Sequence, residues 1–349
     1  MASFGKTGVL IVNLGTPDSP SHYDVYRYLR EFLTDRRVID IPWIPRQALV
    51  QGVIAPFRSG GSAKLYQDLW TPEGSPLKVY GESLVDALKP IMGDECIVKL
   101  AMRYQDPSIK DTLQELLEED IDKLVVFSLF PHYASATVGS VHDEVMRLLR
   151  EEINIPELVL IRDYYDNPAM VNCYAENARQ FDIPSYDHVL FSFHGLPERQ
   201  LIKADRHDHC AKNENCCHVI GKHNQYCYSA QCHNTAQLIA AELGLSPDQY
   251  SVCFQSRLGR DKWAQPYTTD IIKKRREEGD TKLLVLCPAF TSDCLETTIE
   301  ISDEYHEEFI EMGGEILDLV PSLNDMPEWV EAVATIIREK AGLKQPVLA

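Results

Sequence analysis

The sequence predicts an α/β protein made of two similar four-stranded parallel sheets, each flanked by helices, with a cleft between the two halves. Short apolar runs recur along the chain, each closed by a breaker and followed by a helical pattern, as expected of parallel strands buried on both faces. The runs form two sets of four, and their third members echo one another: Lys123-Leu-Val-Val-Phe-Ser-Leu-Phe-Pro131 against Lys282-Leu-Leu-Val-Leu-Cys-Pro288. The chain, at 349 residues, is also long enough for two separate cores.

In order, Thr7 to Gly15 reads as the first strand, and Gly15-Thr-Pro17 turns it into a helix carrying Tyr23 to Leu33. The segment 41–58 is conspicuously apolar, with Trp43 and Phe57 near its ends and arginines at 46 and 58. It is too short and too broken by proline to span a bilayer; an interfacial lip and a core helix both fit its pattern. Strands follow at 97–103, 123–129 and 158–162. Pro131-His-Tyr-Ala-Ser-Ala-Thr-Val-Gly139 is a hydroxyl-rich turn before a helix, and such helix starts suit carboxylates. The second set of strands is expected at 188–193, 250–255, 283–288 and 315–320. These elements divide the chain into a first domain over 1–165, a second over 166–325, and a last segment, 326–349. There an amphipathic helix over 327–342 packs back on the first domain, and a tail begins at Leu343.

Composition narrows the partners. A formal charge of -19 argues against nucleic acid, because phosphate binding needs a basic surface. The first residues show neither a secretory apolar region nor a transit-peptide bias, and no stretch approaches the length of a membrane span. A bacterial-type cytoplasmic protein is the expectation, lying peripherally on the inner face of the cytoplasmic membrane if 41–58 is a lip. Ten cysteines in such a compartment point to metal or redox chemistry rather than structural disulfides.

Two stretches carry the chemistry. Val189-Leu-Phe-Ser-Phe-His194 is a buried-strand pattern that ends abruptly in His194-Gly-Leu-Pro197, and open α/β sheets bind ligands beyond the carboxyl ends of their strands. A lone histidine is more often structural; the strand-end position and the Gly195 turn favour function. The run from Lys282 leads through Asp293 into an acidic helix. Read at helical spacing, Glu296, Glu300, Asp303 and Glu307 line one face. Like charges stacked in this way destabilise a helix slightly, which suggests cation or proton traffic; a solvated acidic face is the plain alternative.

Taken together, Asn13-Leu-Gly-Thr-Pro17, Pro131-His-Tyr-Ala-Ser-Ala-Thr-Val-Gly139, His194-Gly-Leu-Pro197, Gln255-Ser-Arg-Leu-Gly-Arg-Asp-Lys-Trp263 and Cys287-Pro-Ala-Phe-Thr-Ser-Asp-Cys-Leu-Glu-Thr297 resemble the ferrochelatase family, in order, from about residue 8 to 340. The resemblance implies the chelatase fold, two Rossmann-like domains with the active cleft between them. It implies Fe2+ and protoporphyrin IX as substrates, protohaem as product, and two protons released in the last step of haem synthesis. His194 and Glu296 would then face one another across the cleft as the catalytic pair and meet the substrate iron. Glu300, Asp303 and Asp293 would relay protons or metal, Asp293 also ordering the loop. Arg103 and Tyr104 would form a pocket wall, with Tyr133, Ser135 and Thr137 on the facing loop and Trp263 beneath the macrocycle. Neutral imidazole is a suitable base near pH 7, and carboxylates suit a hard cation. A strained, saddled macrocycle is the catalytic device the resemblance implies.

The chain departs from the family pattern at 205–228, an insertion where relatives have a short Gly-Asp-Tyr turn. It carries Cys210, Cys216, Cys217 and Cys227, and Cys232 follows as a possible fifth thiol. Four thiolates in a compact loop suit a [2Fe–2S] cluster or a structural zinc. Some family members carry the cluster, and adjacent Cys216-Cys217 fits two irons better than a zinc knuckle, whereas His207, His209, His218 and His223 keep zinc open. The expected partners are protoporphyrin IX, Fe2+, the membrane surface at the lip, and the oxidase that makes the porphyrin in the preceding step. Monomer and dimer remain open, since a lip and a dimer patch read alike. A tetrapyrrole or metal carrier, a cobalt or nickel chelatase, and a coproporphyrin-using form are the competing readings.

Overall fold

The computed structural model describes residues 5–213, 215–257, 259 and 261–343. The tail expected beyond Leu343 lies outside these residues, as do Glu214 of the Cys-rich insertion and Leu258 and Arg260 of the loop before Trp263. Among the described residues there are eight strands: β1 (Lys6–Gly15), β2 (Cys96–Tyr104), β3 (Ile121–Ser128), β4 (Glu157–Leu160), β5 (His188–His194), β6 (Tyr250–Gln255), β7 (Lys282–Leu286) and β8 (Ile316–Leu319). They build two sheets with the orders β2-β1-β3-β4 and β6-β5-β7-β8. Every pairing between these strands is parallel. The expected fold class holds, down to the equivalence of β3 and β7 read from their echo.

The physical cause is burial on both faces. Val9 to Val12 and Leu283 to Leu286 are completely buried, so these runs are continuously apolar rather than alternating. In the first sheet Leu10, Val12, Leu124 and Val126 pack with Leu113, Leu116, Val141 and Val145 from two flanking helices, Ile109–Leu117 and Val138–Leu149. In the second, Leu190, Cys253, Leu283 and Val285 pack with Ile301, Phe309 and Leu317. β1 ends where only glycine fits: Gly15 has φ +113°, and a Cβ there would lie 1.9 Å from the Tyr104 carbonyl oxygen.

Contacts divide the chain into two compact units by space rather than by chain order. One comprises the chain up to Phe130, Ala134–Arg162 and the segment from Asn324; the other comprises Pro131–Tyr133 and Asp163–Leu323. Within the first, the helix Pro327–Ala341 packs on the helix Pro76–Met92 and on β3. Trp329 is wholly buried there, and Arg338 donates to the Ile91 carbonyl. In both sheets the crossover direction reverses at the central pair, β1 with β3 and β5 with β7, which is where such sheets open a crevice beyond the strand ends.

The apolar segment forms consecutive helical turns, Trp43–Leu49, a wider π turn Val50–Ile54, and Ala55–Leu69. Trp43 is 66 % exposed and Phe57 81 %, with Ile44 and Val53 also exposed, whereas Val50 and Ala55 are buried. The core-helix reading fails for the outward face. Among the described residues no helix is long and apolar enough to cross a membrane.

Candidate functional site

His194 is the last residue of β5 and is half-buried. Its Nδ1 lies 2.6 Å from the Gly195 carbonyl oxygen. A carbonyl only accepts, so Nδ1 carries the hydrogen, and in the neutral ring Nε2 is the nitrogen that holds the lone pair. The imidazole is flanked by Trp263 and Phe290, with ring centroids 6.2 and 6.3 Å away. Gly195 is required because a Cβ there would stand 3.0 Å from the Gln255 carbonyl oxygen and 3.3 Å from the Trp263 ring. From the other side Tyr228 donates its hydroxyl to the His194 carbonyl at 2.8 Å. Behind the strand, Phe193 and Tyr228 both pack edge-on against buried His132, whose pKa burial pushes down to about 3.

Glu296 enters from the neighbouring strand. After β7 the chain passes Asp293, whose Oδ1 accepts from Thr297 Oγ1 at 3.2 Å and from the Ser322 amide at 3.1 Å. It then winds into Leu295–Tyr305, a π-helix rather than the α-helix that the spacing suggested. The wider turn changes which carboxylates lie near one another and brings Glu304 within reach of Glu300. Glu304, which the α spacing passed over, has its pKa raised by burial and by Glu300, Asp303 and Glu307. Glu300 is fully engaged. Ser256 donates its amide at 2.8 Å and its hydroxyl at 2.6 Å, Tyr305 donates at 2.8 Å, and Gln255 donates at 3.1 Å. Asp303 is exposed. Beside Glu296, the thiol of Cys294 is pushed well above the usual range by burial and by that carboxylate.

The residues expected around a macrocycle fare differently. Trp263 lies beside His194, and its buried indole Nε1 has no hydrogen-bond partner among the described residues. The Tyr133 amide donates to Gln231 Oε1 at 3.0 Å, and its ring is half-buried. Thr137 occupies the N-cap position of the helix Val138–Leu149, its hydroxyl donating to the Ala134 carbonyl at 3.5 Å, and Ser135 accepts from Arg37 at 3.2 Å. Arg103 and Tyr104 depart from a pocket wall. Tyr104 is 1 % exposed, and both side chains are spent on Asp35, at 2.8 Å from Arg103 and 2.9 Å from the Tyr104 hydroxyl. Asp35 also accepts from Ser140 and from the Arg37 amide. No periodicity or motif marks Asp35, so only the folded chain reveals it as the anion that the arginine serves.

In the inserted loop, Asp205 accepts the amides of His207, His209 and Cys210, and Asn224 bridges the carbonyls of Cys216 and Val219, each at 2.9 Å. The sulfurs of Cys216 and Cys217 stand 3.5 Å apart. Cys227 sits at the start of the helix Tyr228–Glu242. The thiols of Cys210 and Cys217 donate to it, and with help from the Ala230 and Ser229 amides they hold it well below the usual thiol range. Cys232, the possible substitute, is wholly buried inside that helix, and burial pushes its thiol up. That makes it a poor ligand. Among the described residues no three or more His, Cys, Asp and Glu side chains stand as a group able to hold a metal ion. What the loop offers is a chain of thiol pairs, not donors about one centre.

Comparison with known proteins gives this geometry its context. Residues 6–341 match the family model described as Ferrochelatase. The ferrochelatase of Coxiella burnetii (strain Dugway 5J108-111) is 44 % identical over 342 residues, covering 97 % of this chain and 95 % of that one. The ferrochelatase of Legionella pneumophila (strain Lens) is 43 % identical, covering 96 % of this chain and 99 % of that one. Among solved structures, SirB from Bacillus subtilis with Fe3+ superposes with a TM-score of 0.56 over 96 % of each chain, at 11 % identity, a likeness of fold alone. A match over nearly the whole length, with relatives at this level of identity, means that this chain belongs to the ferrochelatase family.

Proposed function

We infer that this chain is a lyase that inserts Fe2+ into a porphyrin in haem synthesis, and we propose protoporphyrin IX as that porphyrin. The observation that carries the chemistry is the locked tautomer of His194. With Nδ1–H held by the Gly195 carbonyl, Nε2 is a ready base beyond the carboxyl end of a central strand. Porphyrin plus Fe2+ yields haem plus two protons, so each insertion must remove both pyrrole hydrogens. Nε2 takes a pyrrole proton while the Glu296 carboxylate meets the metal or the second proton. Glu300 and then solvent-exposed Asp303 lead away along the same helix as the relay, and Asp293 holds the loop that starts it. Trp263 and Tyr133 are the proposed contacts to the ring, and Ser135 and Thr137 to propionate oxygens. Arg103 and Tyr104, spent on Asp35, act by ordering the end of β2. The apolar face of 43–57 would rest on a membrane surface and receive a substrate that water barely dissolves.

We further propose that Cys210, Cys216, Cys217 and Cys227 hold a [2Fe–2S] cluster. Zinc asks for four donors about one point, whereas two irons ask for two thiolate pairs, and pairs are what the loop contains. Such a cluster would tie the insertion down, and Tyr228, next to Cys227, joins that anchor to the His194 carbonyl. The chelation steps do not pass through it.

Protein purified without air tests both readings. The expected result is visible absorbance with iron and sulfide in equal amounts, together with Fe2+ insertion that falls at least about a thousandfold in His194→Ala, in line with the loss of a positioned base. A colourless, zinc-bearing protein removes the cluster. A protein that binds porphyrin but never metallates it is a carrier.

A further inference from the structure

His194 and Glu296 sit on different elements, and strand pairing alone does not relate them. β5 and β7 stay in register only to Phe191 opposite Leu286. Beyond that, the run from Cys287 to Cys294 separates β7 from the helix bearing Glu296. The link comes from β6. Gln255, its last residue, is the direct partner of His194 in the parallel pair, is 2 % exposed, and uses every hydrogen-bonding position of its side chain. Its Nε2 donates to the Glu296 carbonyl at 2.7 Å and to Glu300 Oε2 at 3.1 Å. Its Oε1 accepts from Ser192 Oγ at 2.7 Å and from Cys287 Sγ at 3.6 Å. Its own carbonyl accepts the Gly195 amide at 2.9 Å.

The orientation of the amide is not arbitrary. A carbonyl and a carboxylate can only accept and so demand the NH2 side, whereas a hydroxyl and a thiol donate to the oxygen side. No other residue type of this volume offers two donors and an acceptor in that geometry. A buried amide with all partners present is rigid, and losing one side leaves several polar groups unpaired in a low-dielectric interior.

We propose that Gln255 is the positioning residue of the site, setting the distance between the base on β5 and the carboxylate on the π-helix by holding Gly195 with its backbone and Glu296 with its side chain. The assignment rests on His194 and Glu296 as the reacting pair. It gives Glu300 a second task, anchoring the same amide from below while Ser256 and Tyr305 hold Glu300 in turn.

The test uses the full-length protein and two variants, Gln255→Met, which keeps the volume, and Gln255→Glu, which keeps the shape and the acceptor while removing both donors. For Fe2+ insertion, kcat should fall at least about tenfold in each, as misplacement of reacting groups does, with the porphyrin KM changed less than about threefold. The pH profile of kcat should move as well, because the base and the carboxylate no longer meet in the same geometry. A merely structural residue would lower the unfolding midpoint and leave that profile in place; this outcome in either folded variant overturns the role given to Gln255. If Gln255→Met does not fold, Gln255→Glu carries the test. A wild-type chain that inserts no metal overturns the functional reading instead, so the two failures are distinct.

Discussion

Asp35 shows how much a single side chain can decide. Its carboxylate is 7 % exposed. Burial pushes its pKa up, but hydrogen bonds from Ser140, the Arg37 amide and Tyr104, together with the Arg103 charge, outweigh that and leave it below the usual carboxylate range. A carboxylate with a depressed folded-state pKa adds stability that is complete above its unfolded value, about 4, and is lost as pH falls through the folded value. Asp35→Asn should therefore lower unfolding stability near neutral pH by roughly 3–5 kcal/mol, the usual result of leaving a buried arginine without its anion. It should also flatten the loss of stability on going from about pH 6 to pH 3, measured as urea midpoints. Equal slopes in the two proteins would show that Asp35 does not titrate with folding. Arg103 was legible in the sequence as a strand-end cation; its partner was not, because the pairing joins residues 68 positions apart.

At the scale of elements, the strands were legible and the helices less so. Leu295–Tyr305 has the composition of an acidic amphipathic helix, but pattern cannot tell a π from an α winding, since the choice is made by what the turns must reach. Here Ser256, Gln255 and Tyr305 all converge on Glu300. The lip is the opposite case, where the sequence left two readings and exposure removed the core helix for the outward face only. Burying Trp43 and Phe57 in a bilayer interface is worth up to about 1.5–3 kcal/mol each. Trp43→Ser with Phe57→Ser should thus weaken co-sedimentation with phosphatidylcholine vesicles by at least about tenfold, each 1.4 kcal/mol being one power of ten. Zwitterionic lipid is the right probe because the chain itself is strongly anionic. Unchanged sedimentation would remove the membrane from the function.

For the whole molecule, charge and topology matter most. A chain of formal charge -19 repels anionic ligands over a Debye length, so a porphyrin with two propionates should be preferred to one with four carboxylates. We expect kcat/KM for protoporphyrin IX to exceed that for coproporphyrin at low salt, with the ratio narrowing as salt rises. A higher value for coproporphyrin would reverse the substrate assignment.

The sequence by itself determined the eight strands, their division into two matching sets and the positions of His194 and Glu296, because runs buried on both faces and the breakers that end them are local features of composition. It also located the four loop cysteines. Only the tertiary structure decided that β6 supplies Gln255 beside His194, that Glu300 is held by four donors, and that Arg103 answers to Asp35. Each of these depends on side chains brought together from distant parts of the chain, where partner choice is set by burial and hydrogen-bond satisfaction rather than by any spacing along the sequence.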